Sequence, residues 1–328
     1  MTLPAQSLAE MSVLPYTDIL AWVVMAVFVA GVVADRRGRR DLALRVTAGA
    51  WGLFAVFWFL LIQHFAFVHR SAIQTTLVVI AVPSCLYVGW RLLNGRESLL
   101  TLSRAIAFMT ILYLPFETSE IARGFLIETV AFQTSSAIDL LGLGEGVEFI
   151  EDPAEDSTLM NTFFFADTGR ASRVVFECTG IGAMAIFGGL IAAIDAPGRK
   201  KAIAAVVSIA IIWVLNIGRN VFIAIANGYQ WFAIRWLEAP VMFLFGLSDP
   251  ARVSFFVADR IIAQGLAVFA LVGLAFLVSR WVPELLDIGE ELLSVLLGRE
   301  VTLRAPDPDA DGSSTDPEPA TDGGATKR

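Results

Sequence analysis

The stretch VVFECTGIGAMAIFGGLIAAI, residues Val174–Ile194, passes from a charged segment into an uninterrupted apolar run. Similar runs recur along the chain, in which 56% of the 328 residues are hydrophobic and only 17% are charged. Several of the runs are long enough to cross a hydrocarbon core of about 30 Å. Lipid satisfies no open backbone groups, so only helices or closed barrels span it, and barrel strands alternate in segments of about ten residues. The sequence therefore predicts an all-α, multi-pass membrane protein.

The apolar runs predict seven transmembrane helices, with one ambiguous segment between the sixth and the seventh. The predicted spans are 18–34, 42–63, 72–93, 99–116, 178–194, 202–226 and 254–279. The segment Tyr229–Ser248 is also long enough to span, but it contains Arg235, Glu238 and Pro240, and a charge at mid-bilayer is costly. We expect this segment to be interfacial or re-entrant, which gives seven transmembrane helices; a spanning segment would make eight. A small exterior cap completes the predicted architecture.

The distribution of basic residues predicts the orientation and the domain limits. Compact positive charge occurs in the loops at 35–41, 91–104 and 198–201, which the positive-inside rule places in the cytoplasm. The segment 117–177 then faces outward, and its part Gly146–Glu177, by its turn residues and short apolar runs, is expected to form hairpins. Residues 1–282 make up the membrane domain, 283–300 an amphipathic helix on the inner surface, and 301–328 a disordered acidic tail. The net charge of −8 and the scarcity of lysine are typical of a salt-loving organism.

The two cysteines are expected at different depths in the membrane. Cys85 lies thirteen residues into the third predicted span, about 20 Å down at the helical rise per residue, whereas Cys178 opens the fifth span at the outer surface. A disulfide is therefore disfavoured, and Cys85 is expected in the core. Cys178 remains a free thiol, and a helix N-terminus can stabilise its thiolate.

Two intramembrane arginines are expected at the same depth as Cys178. Arg219 lies near the outer end of the sixth span and Arg260 near the outer end of the last one. Taken singly, each arginine is as readily explained by a structural ion pair or by snorkelling. Together with the thiol they predict a site in the outer leaflet. Neighbouring polar residues are candidates for substrate binding: Glu177, Asn216, Asn220, Asp259 and Gln264.

Three short motifs, ECTGI, NIGRN and ADRIIAQ, occur in this order around those residues. The combination resembles the exosortase and archaeosortase superfamily of integral-membrane transpeptidases. The resemblance implies that Cys178 is the nucleophile and Arg219 its partner. It also implies that Arg260 occupies a position held by histidine in bacterial members and by arginine in the archaeal branch.

The resemblance also implies a reaction and its partners. The clients would be secreted proteins with a tripartite C-terminal signal, such as the S-layer glycoprotein, and the acceptor an amine-bearing membrane lipid. The thiolate would attack the scissile carbonyl, and the lipid amine would resolve the thioester. An arginine is a poor base, so His64 or His69, both predicted at the outer end, could take the proton; their spacing does not indicate a metal pair. We expect no cofactor, no metal and no nucleic acid.

Two other classes of function remain open at this point. A hydrolytic intramembrane cysteine protease would use every residue named above. A transporter or lipid-binding protein could use Arg219 and Arg260 to hold an anion and would tolerate the loss of Cys178.

Overall fold

The computed structural model describes residues 6–63, 72–153 and 158–297. Numbered in chain order, its helices are α1 Gln6–Arg36, α2 Arg40–Gln63, α3 Ala72–Leu93, α4 Leu99–Thr118, α5 Glu120–Leu140, α6 Ile181–Ala193, α7 Gly198–Gly228, α8 Arg235–Phe245, α9 Val253–Phe256, α10 Gln264–Ser279 and α11 Glu284–Leu297. Its strands are β1 Val147–Glu151, β2 Met160–Phe165 and β3 Arg170–Arg173. A 3-10 turn covers Phe176–Thr179, and a π-helix covers Val257–Ala263.

The predicted multi-pass helical architecture is confirmed. Among the described residues, six helices are long and apolar enough to cross a membrane: Tyr16–Arg36, Arg40–Gln63, Thr75–Leu93, Leu99–Thr118, Gly198–Gly228 and Pro250–Ser279. The remaining predicted span corresponds to α6, which has 13 residues and begins at Ile181 rather than at 178. Helix α6 packs closely on α4 because of Gly189, where a Cβ atom would lie 2.7 Å from the Ala105 carbonyl oxygen.

Aromatic side chains fill the interface between the first helices. The rings of Phe28 and Trp51 meet edge to face with centroids 5.4 Å apart. Trp51 also donates from Nε1 to Ser103 Oγ at 2.9 Å, which ties α2 to α4. Cys85 lies buried in this cluster. Both cysteines are free thiols, as predicted, and Cys85 has a packing role.

Ion pairs gather the basic loops at one end of the helix bundle. Asp35 pairs with Arg40 and, at 2.7 Å, with Arg104, which also contacts Asp195 at 3.2 Å. These four residues define what we call the charged end. Their contacts bring the end of α1, the start of α2, the first turns of α4 and the chain after α6 together, in agreement with the prediction that the basic loops share one side.

A cap of mixed structure, residues 120–153 and 158–173, covers part of the opposite end. The predicted hairpins form a three-stranded antiparallel sheet in the order β1-β2-β3. Helix α5 was not predicted as a helix, and it packs on α7 and on β2 through buried residues such as Val130 and Phe163. The cap approaches the end of α7 closely, since a Cβ atom on Gly228 would overlap the ring of Phe165.

The ambiguous segment Tyr229–Ser248 begins and ends at the same end of the bundle. Helix α8 has 11 residues and is about 16 Å long, which is too short to cross a bilayer. Just before it, the amide of Phe232 donates to Ser254 Oγ at 3.0 Å, so the chain has returned to the level at which it left α7. Trp236 and Phe243 on α8 are largely exposed, as expected for an interfacial segment.

Candidate active site

Cys178 lies on the 3-10 turn that joins the cap to α6. Its amide donates to the Val175 carbonyl at 2.8 Å, and the hydroxyl of Thr179 donates to the Phe176 carbonyl at 2.7 Å. Gly180 then adopts a left-handed conformation with φ of 77°, which separates the turn from α6. The prediction that Cys178 is the first residue of a membrane helix is therefore wrong by three residues, because the glycine interrupts the helix.

Two asparagines of α7 hold the main chain of Cys178. Asn216 and Asn220 each donate from Nδ2 to the Cys178 carbonyl oxygen, at 2.8 Å and 2.9 Å. Both side chains are buried. They lie one helical turn apart and so present their amides on one face of α7. Their contacts fix the turn that carries the thiol.

A carboxylate lies between the two intramembrane arginines. Arg219 NH2 contacts Asp259 Oδ1 at 2.5 Å, and Arg260 Nε lies 3.3 Å from Asp259 Oδ2. Asp259 is buried, with 8% of its surface exposed. It belongs to the π-helix Val257–Ala263, a rare kind of turn that occurs often at functional sites. This contact brings the end of α7 and the start of the last span into one constellation, as the spacing predicted.

Burial and charge act in opposite directions on the thiol of Cys178. Burial raises its pKa above the ordinary value for a cysteine and is the dominant influence. A backbone hydrogen bond at Val175 and the positive charge of Arg219 lower the pKa, whereas the carboxylate of Asp259 raises it. Arg219 therefore offsets part of the cost of forming a thiolate at this position.

These side chains line a cavity of about 770 Å³. Of the candidates from the sequence, the cavity wall contains Glu177, Cys178, Arg219, Asn220, Asp259 and Arg260. Asn216 lies behind the wall in contact with Cys178. Gln264 is exposed and does not line the cavity. His64 and His69 fall outside the described residues.

The cavity wall also contains three arginines that the sequence did not single out: Arg170 and Arg173 from β3, and Arg252 from the turn before α9. All three lie outside the apolar runs, where arginine is common, so no local signal distinguished them. In the described ranges, no group of three or more His, Cys, Asp or Glu residues is arranged to hold a metal ion.

Comparison with known proteins identifies relatives over most of the chain. Residues 17–248 match the family described as transmembrane exosortase. Archaeosortase A of Natronomonas pharaonis is 69% identical over 312 residues, which cover 95% of this chain and 98% of the relative. Archaeosortase A of Haloferax volcanii is 47% identical over 300 residues, which cover 88% of this chain and 96% of that protein. No solved structure matches.

Proposed function

The chain belongs to the transmembrane exosortase family, and on that premise we propose that it is a membrane-embedded cysteine transpeptidase of secreted proteins. Its clients end in a short Pro-Gly-Phe-like motif, a hydrophobic helix and a basic cluster, and the S-layer glycoprotein is one such client. It cleaves near the motif and joins the new carboxyl end to an amine-bearing membrane lipid. The observation that carries this proposal is that one cavity is lined by Cys178, Arg219, Asp259 and Arg260 together.

The first step is attack by the Sγ atom of Cys178 on the scissile carbonyl carbon of the client. A carbon–sulfur bond forms, the peptide carbon–nitrogen bond breaks, and the proton from the thiol passes to the departing amine. Arg219 supports this step because its positive charge favours the thiolate. Its hydrogen bonds, together with those of Arg260, stabilise the oxyanion that develops on the carbonyl.

The second step is attack on the thioester by the lipid amine. A new amide bond forms, the carbon–sulfur bond breaks, and the thiolate of Cys178 is restored. The amine must lose a proton, and the cavity wall described here contains two carboxylates, Glu177 and Asp259. Since Asp259 contacts both arginines, we assign the proton to Glu177. His64 or His69 remains the alternative predicted from the sequence.

Asp259 serves in this scheme as a positioning residue. Its two oxygens contact two different guanidinium groups, and its burial limits their movement. A guanidinium is a planar fork of donors that acts in one orientation, so fixing the fork matters as much as supplying the charge. Asn216 and Asn220 act in the same way on the main chain of the nucleophile.

We place the cavity at the outer face of the cell membrane. The charged end carries the basic loops and is assigned to the cytoplasm by the positive-inside rule. The cavity lies next to the cap, at the opposite end of α7. A secreted client would then reach the thiol from outside with its hydrophobic helix still in the bilayer.

The test is a reconstituted reaction with the full-length protein, an amine-bearing phospholipid and a client that carries the tripartite signal. Mass spectrometry of the client C-terminus distinguishes the lipid-linked form from the free carboxylate. We expect the native protein to give the lipid-linked form and Cys178→Ala to give neither product. Cys85→Ala is the matched control and should be fully active, because Cys85 packs in the distant α1–α4 cluster. Glu177→Gln should accumulate the thioester.

Other outcomes would select one of the competing functions. A native protein that releases only free carboxylate, with the lipid present, is a hydrolytic protease. Processing that survives Cys178→Ala rules out the cysteine mechanism altogether. The absence of any client processing by the native protein would favour the transporter or lipid-binding alternative.

A further inference from the structure

More arginines line the cavity than the proposed chemistry uses. The wall contains five arginines, Arg170, Arg173, Arg219, Arg252 and Arg260, against two acids, Glu177 and Asp259. The reaction employs Arg219 and Arg260. The others come from two different elements, β3 and the turn before α9, that meet only in the folded chain.

Neighbouring acids neutralise only part of this positive charge. Arg173 pairs with Asp152 at 2.7 Å, and Arg219 and Arg260 share Asp259. In the portions of the chain that the structure describes, neither Arg170 nor Arg252 lies within ion-pair distance of a carboxylate. The guanidinium of Arg252 instead lies 5.4 Å from the centroid of the Phe256 ring.

An excess of arginine in a cavity with apolar walls favours an anion. Phe163, Ile223, Ala224 and Phe255 also line the cavity, and low-dielectric walls of this kind concentrate the field of the charges they surround. The planar fork of arginine matches the oxygens of phosphate in bidentate pairs. The unpaired Arg170 and Arg252 are therefore suited to a phosphate group.

The size and surroundings of the cavity favour a phosphate that belongs to a lipid. A volume of about 770 Å³ far exceeds that of a single small ion. Val241 of α8 packs against Val253 and Val257. These two valines lie in the sequence between Arg252 and Arg260. Helix α8 exposes Trp236 and Phe243 beside this contact, and such aromatic side chains mark the headgroup level of a bilayer.

We propose that Arg170 and Arg252 form a subsite for the phosphate diester of a membrane phospholipid, within the cavity that contains Cys178. The part of this inference that makes the lipid the acceptor rests on the proposed function. A phosphate held there would place the headgroup amine in the same cavity as the thioester, while the acyl chains stay in the bilayer. The acceptor class is then an amine-bearing phospholipid rather than a neutral amine lipid.

Native mass spectrometry of the full-length protein, without client, tests the subsite. The probes are phosphatidylethanolamine, phosphatidylglycerol, diacylglycerol and inorganic phosphate. We expect both phospholipids to bind. Diacylglycerol, which lacks the phosphate, and inorganic phosphate, which lacks the acyl chains, should bind at least about tenfold more weakly. Inorganic phosphate that binds as tightly as the phospholipids would overturn the assignment to a lipid.

The variant is Arg170→Gln with Arg252→Gln, and the matched control is Arg37→Gln with Arg199→Gln, which removes two exposed arginines near the charged end. The cavity variant should bind both phospholipids about tenfold or more weakly, whereas the control should bind them as the native protein does. Arg252→Lys should lose less affinity than Arg252→Gln, since it keeps the charge but not the fork. The thermal unfolding midpoint checks that each variant is folded.

Affinities that are equal in the native protein and the folded cavity variant would overturn the proposal. An equal loss in the control pair would do the same, because the binding would then be a general effect of charge. This experiment is independent of the chemistry. Phospholipid binding that depends on Arg170 and Arg252, in a protein that fails to process clients, would leave the subsite standing and remove the transpeptidase assignment.

Discussion

At the scale of single residues, the guanidinium of Arg219 interacts with two groups. It contacts the Asp259 carboxylate at 2.5 Å, and its positive charge lowers the pKa of the Cys178 thiol. The first interaction fixes its orientation, and the second favours the thiolate form of Cys178. A lysine at this position would keep the charge but could not hold both partners in one plane.

We therefore predict that Arg219→Lys loses most of its activity, by about a hundredfold in kcat, which is the size of effect seen when one oxyanion donor is removed. Arg260 is expected to be more tolerant, because its contact with Asp259 is longer at 3.3 Å. Its position also holds histidine in bacterial members, as the family resemblance implies. Arg260→His should then retain more activity than Arg260→Ala. The measurement is the rate of conversion of client to the lipid-linked form, at equal amounts of inserted protein.

The pH dependence of the same reaction separates charge from geometry. Because burial raises the pKa of Cys178, activity should increase with pH as the thiolate forms. Arg219→Gln should move this increase to higher pH, since the guanidinium charge would no longer offset part of the effect of burial and of Asp259 on the thiol. Arg219→Lys should keep the native pH profile at a lower rate. A profile that is the same for all three proteins would show that Arg219 does not act on the thiol.

At the scale of elements, the site depends on two departures from regular α-helix. The 3-10 turn Phe176–Thr179 ends at Gly180, whose φ of 77° is unfavourable for other residues. On the other side of the cavity, the π-helix Val257–Ala263 carries Asp259 and Arg260. A continuous α-helix through Cys178 would remove the turn whose carbonyl binds Asn216 and Asn220.

Gly180→Ala should accordingly damage the site without preventing membrane insertion. A Cβ atom there would lie 2.9 Å from Asn216 Cγ, and the left-handed conformation adds about 1–2 kcal/mol of strain. We expect a loss of activity of about tenfold or more, measured as the rate of client processing. Gly182→Ala is the matched control, because a Cβ atom at Gly182 meets nothing within 4 Å. Equal activity of the two variants would mean that the conformation of the turn is unimportant.

At the scale of the whole molecule, the charged end and the cavity lie at opposite ends of the bundle. Helix α7 connects them, since it begins beside the charged end at Gly198 and carries Arg219 toward its other end at Gly228. Arg280, after α10, and the start of α11 return to the charged end, where Glu284 and Asp287 line a second cavity with Asp195. The last span therefore runs from the site back to the charged end.

This arrangement predicts the sidedness of three reporters. A reporter inserted at Gly38 and one fused after Arg328 should both be cytoplasmic, whereas one inserted at Gly142, in the turn after α5, should be outside. Gly38 and Gly142 each have open space around the Cα atom, so the insertions should be tolerated. The measurement is protease accessibility in intact cells. A reporter after Arg328 on the same side as Gly142 would contradict the path of the last span.

The amino-acid sequence by itself determined the membrane architecture and singled out three residues that line one cavity, Cys178, Arg219 and Arg260. Apolar runs specify spanning helices because lipid cannot satisfy the backbone, and this requirement is local to each run. Depth along a helix follows from residue count, so Cys178, Arg219 and Arg260 could be assigned to one layer before any contact was known. The prediction that Tyr229–Ser248 does not span followed from the cost of its charges in the same way, and the short helix α8 agrees with it.

Only the tertiary structure decided how those residues meet. The hydrogen bonds from Asn216 and Asn220 to Cys178, and the contact of Arg219 with Asp259, join residues about 40 positions apart. The rotation of each helix about its own axis sets such contacts, and hydropathy carries little information about rotation. Helix α5 and the arginines Arg170 and Arg252 were missed for a related reason. They lie outside the apolar runs, and it is the packing of the cap and of the turn before α9 that gives them a place near or in the cavity.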